Sequence, residues 1–256
     1  MMGASVSISP GIQRALTLSR NWFVLLLALL VSGCIKLEQT LTIKPDASGV
    51  LDVNYSISED AVVQARAALK LKQQMTMESD RGASDLMDSQ MSQVFLRPSE
   101  DEIKREIAKY AKNGLKLDSL KVTTKDGWRT VKMRLSFKDL GSIAKADFYA
   151  DTGFSISKDS AGNYTLQREA SGHNAYLLSP DMMMLLKPIM TGFNVVINVA
   201  VPGKILKTNA PRTSGTTATW SYNFDRAPDA LSALQSQQFT IVFEGKGVSL
   251  PTIKIK

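Results

Sequence analysis

The chain has 256 residues, a formal net charge of +7, one cysteine and one histidine. This length suits one large domain or two small ones, each with a substantial apolar core. A single cysteine excludes an internal disulfide, and a single histidine excludes a multi-histidine metal site. The composition therefore favours a globular fold that is stabilised by its core alone.

The first 33 residues have the features of an export signal. Arg14 and Arg20 form a positive flank without any acidic residue, and an unbroken apolar run follows from Trp22 to Val31. A transmembrane helix needs about 20 apolar residues, so this run is too short to span a bilayer. The segment 1–33 is therefore predicted to be a signal peptide that is removed on export.

The signal ends in Val31, Ser32 and Gly33, directly before Cys34. This order resembles the lipobox of bacterial lipoprotein precursors. The resemblance implies that the Cys34 thiol receives a diacylglyceryl group, that the preceding peptide bond is cut, and that the new amino terminus is acylated. Two or more acyl chains give stable anchoring, at about 0.8 kcal/mol per buried methylene. The alternative is that Cys34 is an ordinary buried thiol at the start of a strand, behind an amino-terminal membrane anchor.

Export and charge together indicate the kind of partner. Removing the two arginines of the signal leaves about +5 on the mature part, which favours anionic headgroups or acidic envelope polymers and excludes nucleic acid. We expect the cell envelope, on the periplasmic or outer face. Ile35, rather than Asp, follows the acylated cysteine. In bacteria with two membranes, this resembles the lipoproteins that are sent to the outer membrane. No cofactor is expected besides the covalent lipid.

The mature part begins with a predicted hairpin. Apolar residues alternate from Leu37 to Ile43 and again from Leu51 to Ile57, around the turn sequence Pro45-Asp46-Ala47-Ser48-Gly49. The first strand starts within three residues of Cys34. At about 3.3 Å per extended residue, the folded domain cannot stand far from the bilayer.

Two helices follow in the prediction. Good helix formers run from Asp60 to about Asp80, and residues 79–97 form a possible mobile insertion. Ser99 and Glu102 have capping-box spacing and predict a second helix. Its buried residues are expected to be Ile103, Ile107, Tyr110 and Ala111.

The clearest hairpin joins residues 117–125 to residues 128–138 through Asp126-Gly127, a sequence typical of a type I′ turn. Counting from the turn pairs Val122 with Val131. The opposite face collects a candidate headgroup-binding set of Lys121, Lys125, Trp128, Lys132, Arg134 and Lys138. Cations near an anionic membrane contribute about 1 kcal/mol each, and an indole favours the interface. The alternative is an ordinary solvated outer face.

The remaining strands are predicted at residues 153–158, 163–168, 193–201, 218–224 and 239–243, with a short helix after Ala227. A further helix starting at Ser179 is apolar on every side. It offers a candidate acyl-chain pocket formed by Met182, Met183, Leu186 and Met190, with a plain core role as the alternative. The predicted fold is α+β: one domain, 34–256, with an antiparallel sheet built from successive hairpins and several inserted helices.

Enzyme signatures are scarce. The single histidine, His173, lies in a loop sequence, and neither a G-x-S-x-G elbow nor a P-loop occurs. We therefore expect no catalytic and no metal-binding residue.

The lipobox, Pro45-Asp46-x-x-Gly49, Val201-Pro202-Gly203 and the strands 220–224 and 239–243 together resemble the LppM-type lipoprotein domain family. The resemblance runs from about Cys34 to Gly245 and implies an α+β envelope domain without catalysis, connected with surface lipids or host interaction. Some members carry a carboxyl-terminal membrane helix, whereas here anchoring is expected to depend on Cys34 alone. The leading hypothesis is a non-enzymatic lipoprotein that binds an envelope lipid or an anionic surface. The alternative is a protein-interaction or scaffold subunit of an envelope complex.

Overall fold

The computed structural model describes residues 35–64, 67, 99–144, 154–168, 192–227, 230, 233–234 and 238–255. All of these belong to one compact unit, Cys34–Lys256. The predictions for the signal peptide, the lipobox with Cys34, the insertion at 79–97, His173 and the Met-rich helix fall outside the described residues. Within them, no helix combines the length and apolar character that a bilayer crossing requires.

The first hairpin is confirmed as β1, Ile35–Ile43, and β2, Gly49–Ser58. Asp46 shapes the turn, because its Oδ1 accepts hydrogen bonds from the Ser48 backbone N–H at 3.1 Å and the Ser48 hydroxyl at 2.7 Å. Gly49 is required where β2 begins, since a Cβ there would overlap the Thr42 carbonyl oxygen and the Phe137 ring. The turn is thus fitted closely to the core.

After β2 the chain becomes helical over residues 59–64, where the buried Ser58 hydroxyl accepts a hydrogen bond from the Ala61 N–H at 3.1 Å. Helix α1, Glu100–Ala108, has the predicted capping box at Ser99. Ile103, Ile107 and Tyr110 are buried as predicted. The prediction for Ala111 is wrong: the residue is exposed, because the chain leaves the α-helix and starts a 3₁₀ turn there.

The Asp126-Gly127 hairpin is confirmed as β3, Leu115–Lys125, and β4, Trp128–Phe137. Both turn residues have positive φ, 51° and 72°, as a type I′ turn requires. Val122 pairs with Val131 as predicted. Helix α1 lies along β3, where Glu100 Oε1 accepts a hydrogen bond from the Val122 N–H at 3.2 Å. The Glu100 carboxylate thus satisfies a backbone N–H of β3, which is an edge strand of its sheet.

The structure is compatible with the predicted α+β class, since strands dominate and a few helices accompany them, but the prediction of one antiparallel sheet made of successive hairpins is wrong. Sheet A also contains β7, β9 and β10, at Asn194–Ala200, Arg212–Ser214 and Thr217–Asn223. Its order is β3-β4-β2-β1-β7-β10-β9. Strand β1 pairs with β7 in parallel, so the sheet is mixed. Local hairpin signals do not encode this pairing, which joins residues more than 150 positions apart.

Sheet B is a second, antiparallel sheet of five strands. It contains β5, Phe154–Lys158, and β6, Tyr164–Arg168, which form the predicted hairpin, together with β8, β11 and β12 at Ile205–Thr208, Phe239–Phe243 and Ile253–Ile255. The two sheets meet where Trp220 of β10 contacts Phe239 of β11, with ring centroids 4.5 Å apart. Leu135 and Phe243, one from each sheet, are fully buried. Burial of such side chains stabilises the fold by about 1.5–3 kcal/mol each.

Candidate functional site

The candidate headgroup residues lie on the face of sheet A that points away from the core. Side chains alternate along β4, so that Val131, Met133 and Leu135 face the core while Lys132 and Arg134 face outward. On β3, Lys121 and Lys125 share this outer face and are exposed. Sequence alternation therefore identified the face correctly.

The strand order adds acidic residues that the hairpin alone did not show. Strands β2 and β1 continue the face beyond β4, and they carry Asp52 and Glu38 on its outer side. Arg134 Nε lies 3.4 Å from Asp52 Oδ1. The outer face is thus mixed in charge, rather than basic throughout, and Arg134 is engaged in an ion pair.

The six predicted residues do not form one patch, because they extend along the whole length of β4. Trp128 begins this strand and Lys138 follows its last residue, so the two are separated by about 33 Å of extended chain. Ser58 pairs with Trp128, and Ile57 pairs with Ile35. We call this end of sheet A, which contains Ile35, Trp128 and the Asp126-Gly127 turn, the proximal end.

A lysine that the sequence analysis did not single out completes the proximal end. Lys36 Nζ lies 4.9 Å from the centroid of the Trp128 ring, within the range of a cation–π interaction. Lys125 pairs with Trp128 across the turn. The Gly127 carbonyl accepts a hydrogen bond from the Glu59 N–H at 2.8 Å, which attaches the turn to the helical segment 59–64. Alternation places Lys36 outward, but its contact with Trp128 depends on the strand order.

Farther along the outer face there is a shallow polar concavity of about 370 Å³. It is lined by Glu38, Thr40, Asp52, Val53, Asn54, Ser119, Lys132, Met133 and Arg134. Both charge signs are present, with acids on β1 and β2 and bases on β4. The concavity is a candidate binding site for a polar ligand.

A second, much smaller space lies between the two sheets. Between the sheets, a space of about 30 Å³ is lined by Gln39, Arg168, Phe239 and six neighbouring residues, and it would hold about one water molecule. Trp220 Nε1 and Tyr222 Oη are buried and have no hydrogen-bond partner among the described residues. Burial raises the pKa of the Tyr222 hydroxyl to about 12, although the charge of Arg168 lowers it. The space between the sheets is therefore too small to hold an acyl chain.

The described part of the chain contains no candidate metal centre. No group of three or more His, Cys, Asp or Glu side chains converges there. The pKa values of Glu100 and Glu102 are lowered, first of all by hydrogen bonds from the Val122 backbone amide and the Ser99 side chain respectively. Both shifts have structural causes at the start of α1.

No protein-family model matches the chain, and no curated protein matches it. Among solved structures, the chain is similar to the NMR structure of the folded domain of Mycobacterium tuberculosis LppM. The TM-score is 0.36 at 14% sequence identity, over 82% of this chain and 90% of that one. Function is therefore inferred from this chain's own residues and not from that likeness.

Proposed function

We propose that this chain is a non-enzymatic bacterial lipoprotein, anchored in the cell envelope through acyl chains on Cys34, whose proximal end contacts anionic headgroups. The position of β1 carries this proposal. The strand begins at Ile35, immediately after Cys34, and is hydrogen-bonded on both sides. An acylated Cys34 would therefore hold the proximal end against the membrane surface.

The residues at the proximal end suit that surface. Lys36 and Lys125 are exposed cations on either side of Trp128, an amphipathic ring that favours the headgroup region. Each cation would contribute about 1 kcal/mol near an anionic surface. The space of about 30 Å³ between the sheets is too small for an acyl chain, so this part of the interior does not compete with headgroup contact at the surface.

The anchor is tested by mass spectrometry of the mature protein from its bacterial host. We expect an amino-terminal peptide that begins at Cys34 and carries two or three acyl chains. A mature terminus upstream of Cys34, or an unmodified thiol, would refute lipidation. A Cys34→Ala variant should leave the membrane fraction.

The headgroup contact is tested by vesicle flotation of unacylated protein, with vesicles of phosphatidylcholine alone and with added phosphatidylserine. Lys125→Glu should weaken binding to the anionic vesicles about thirtyfold, because an attraction of about 1 kcal/mol becomes a repulsion of similar size. Lys138→Glu changes the net charge equally at the far end of β4 and should have little effect. Equal losses in the two variants would show that net charge, and not the proximal end, governs binding.

A protein-interaction or scaffold role is the second candidate. Val63 is 64% exposed on the helical segment 59–64, and Leu206 is 48% exposed on β8. Exposed apolar side chains of this size are typical of protein contacts when they form a larger patch. Crosslinking in intact cells through a photoreactive residue at position 63 would favour this role if it gave one discrete adduct.

A further inference from the structure

Two lysines face each other directly on the outer face of sheet A. Lys121 of β3 is paired with Lys132 of β4. Like charges in directly opposed positions of an antiparallel pair destabilise the sheet. Among the described residues, neither ammonium group has a carboxylate within ion-pair distance. Folding alone gives no reason for this pair, whereas an anion bound between the two lysines would relieve the repulsion.

The cross-strand row that begins with Lys121 and Lys132 ends in an acidic residue on β1. Lys132 pairs with Asn54, and Asn54 pairs with Glu38, so the row crosses four strands from base to acid. The outer strands of this row are about 14 Å apart, at about 4.8 Å per strand. The exposed amide of Asn54 lies between the two charged ends.

Glu38 is oriented by a hydrogen-bonded chain of polar side chains on the neighbouring strands. Asn198 Nδ2 donates to Glu38 Oε1 at 3.4 Å and to Thr40 Oγ1 at 3.2 Å, and Thr219 Oγ1 donates to Asn198 Oδ1 at 2.9 Å. These contacts orient Glu38 and leave it without a described cation. The carboxylate is thus available to a ligand, because it is exposed and its protein partner is neutral.

We propose that the outer-face concavity binds a phosphate ester that carries a primary ammonium group. The phosphate would lie beside Lys132, which lines the concavity, with Lys121 of the adjacent strand at its rim. Both lysines would donate charge-assisted hydrogen bonds, and the ammonium would lie against Glu38. Asn54 lies between Lys132 and Glu38, and Ser119 lines the concavity beside the lysines. A ligand of this class is recognised at both ends, and its two charges match the polarity of the row.

This site differs from the proximal end. Lys132 is four residues beyond Trp128 on β4, about 13 Å along the strand. Binding here does not require an anionic membrane, and it can be measured with soluble compounds. Its failure would leave the proposed anchoring and headgroup contact intact, and the reverse also holds.

The test is a titration of unacylated protein followed by amide chemical shifts at constant ionic strength. The probes are O-phosphoethanolamine, inorganic phosphate, phosphocholine and a short-chain phosphatidylethanolamine below its micelle concentration. We expect O-phosphoethanolamine to bind about fivefold more tightly than inorganic phosphate, which is the largest gain expected from one exposed ion pair. Phosphocholine should lose most of this gain, because its quaternary nitrogen cannot donate a hydrogen bond to Glu38. Binding of the phosphatidylethanolamine would identify a lipid headgroup as the source, and its absence a soluble ester.

Two variants separate the ends of the site. Lys132→Gln should weaken every phosphate probe about fivefold, and Glu38→Gln should remove only the preference for O-phosphoethanolamine over phosphate. Lys138→Gln is the matched control and should change nothing. Equal affinity for all phosphate probes, or unchanged binding by Lys132→Gln, would overturn the proposal. Because all three side chains are exposed, amide spectra of the free variants should match the parent except near the substitution.

Discussion

Reversing one charge of the Lys121 and Lys132 pair should stabilise the fold. Two unit charges about 6 Å apart in water repel by about 0.7 kcal/mol, and salt at about 0.15 M reduces this by about half. Lys121→Glu replaces the repulsion with an attraction of similar size. The free energy of unfolding should therefore increase by about 0.6 kcal/mol at physiological salt and about 1 kcal/mol at about 0.01 M salt.

Urea unfolding of Lys121→Glu at low, physiological and high salt measures this gain from the shift in midpoint at unchanged slope. At about 1 M salt the gain should fall to about 0.2 kcal/mol. Lys138→Glu is the control, since Lys138 follows the end of β4 and has no lysine opposite in the register. A loss of stability in Lys121→Glu, or a gain that does not change with salt, would refute the electrostatic reasoning. The same variant should lose phosphate binding, so that stability and binding would change in opposite directions.

Four other substitutions and one pH effect test the fold. Ser99→Ala removes the helix cap and should lower the free energy of unfolding by about 1 kcal/mol, measured by urea titration. Gly49→Ala should be far more damaging, because its Cβ overlaps backbone and aromatic atoms; a soluble, cooperatively melting variant would contradict this. Tyr222 Oη is buried without a described hydrogen-bond partner, so Tyr222→Phe should leave the free energy of unfolding within about 0.5 kcal/mol or raise it. Tyr164 Oη donates to the Val248 carbonyl and accepts from the Leu250 N–H, so Tyr164→Phe should lower the free energy of unfolding by about 1–3 kcal/mol. Because the folded-state pKa of Glu100 is lowered, its contribution is present at neutral pH and lost as pH falls through that lowered value. Stability of Glu100→Gln should therefore decline less steeply in acid than that of the parent protein.

Local patterns in the sequence predicted the local elements well. The Asp126-Gly127 turn determined the register of β3 and β4, and Ser99 with Glu102 marked the start of α1. These signals lie within a few residues of the structure that they encode. They needed no knowledge of the rest of the chain.

The division into two sheets could not be predicted in the same way. The parallel pairing of β1 with β7 depends on contacts across the whole domain, and the short strands β8 and β9 lack a clear alternation. The candidate site shows the same limit. The alternation of side chains along β3 and β4 was enough to predict that Lys121 and Lys132 point outward. The strand order was needed to show that Glu38 and Lys36 lie on the same face.

The central position of β1 has a consequence for synthesis. This strand lies between β2 and β7, so one of its hydrogen-bonding edges has no partner until Ala200 has been made. At about 5–20 residues per second, that edge stays open for roughly 10–30 s after β1 itself is complete. During this interval the nascent chain presents an unpaired strand edge that can capture another chain. A secretion or chaperone step that shields residues 35–43 would protect the protein at its most aggregation-prone stage.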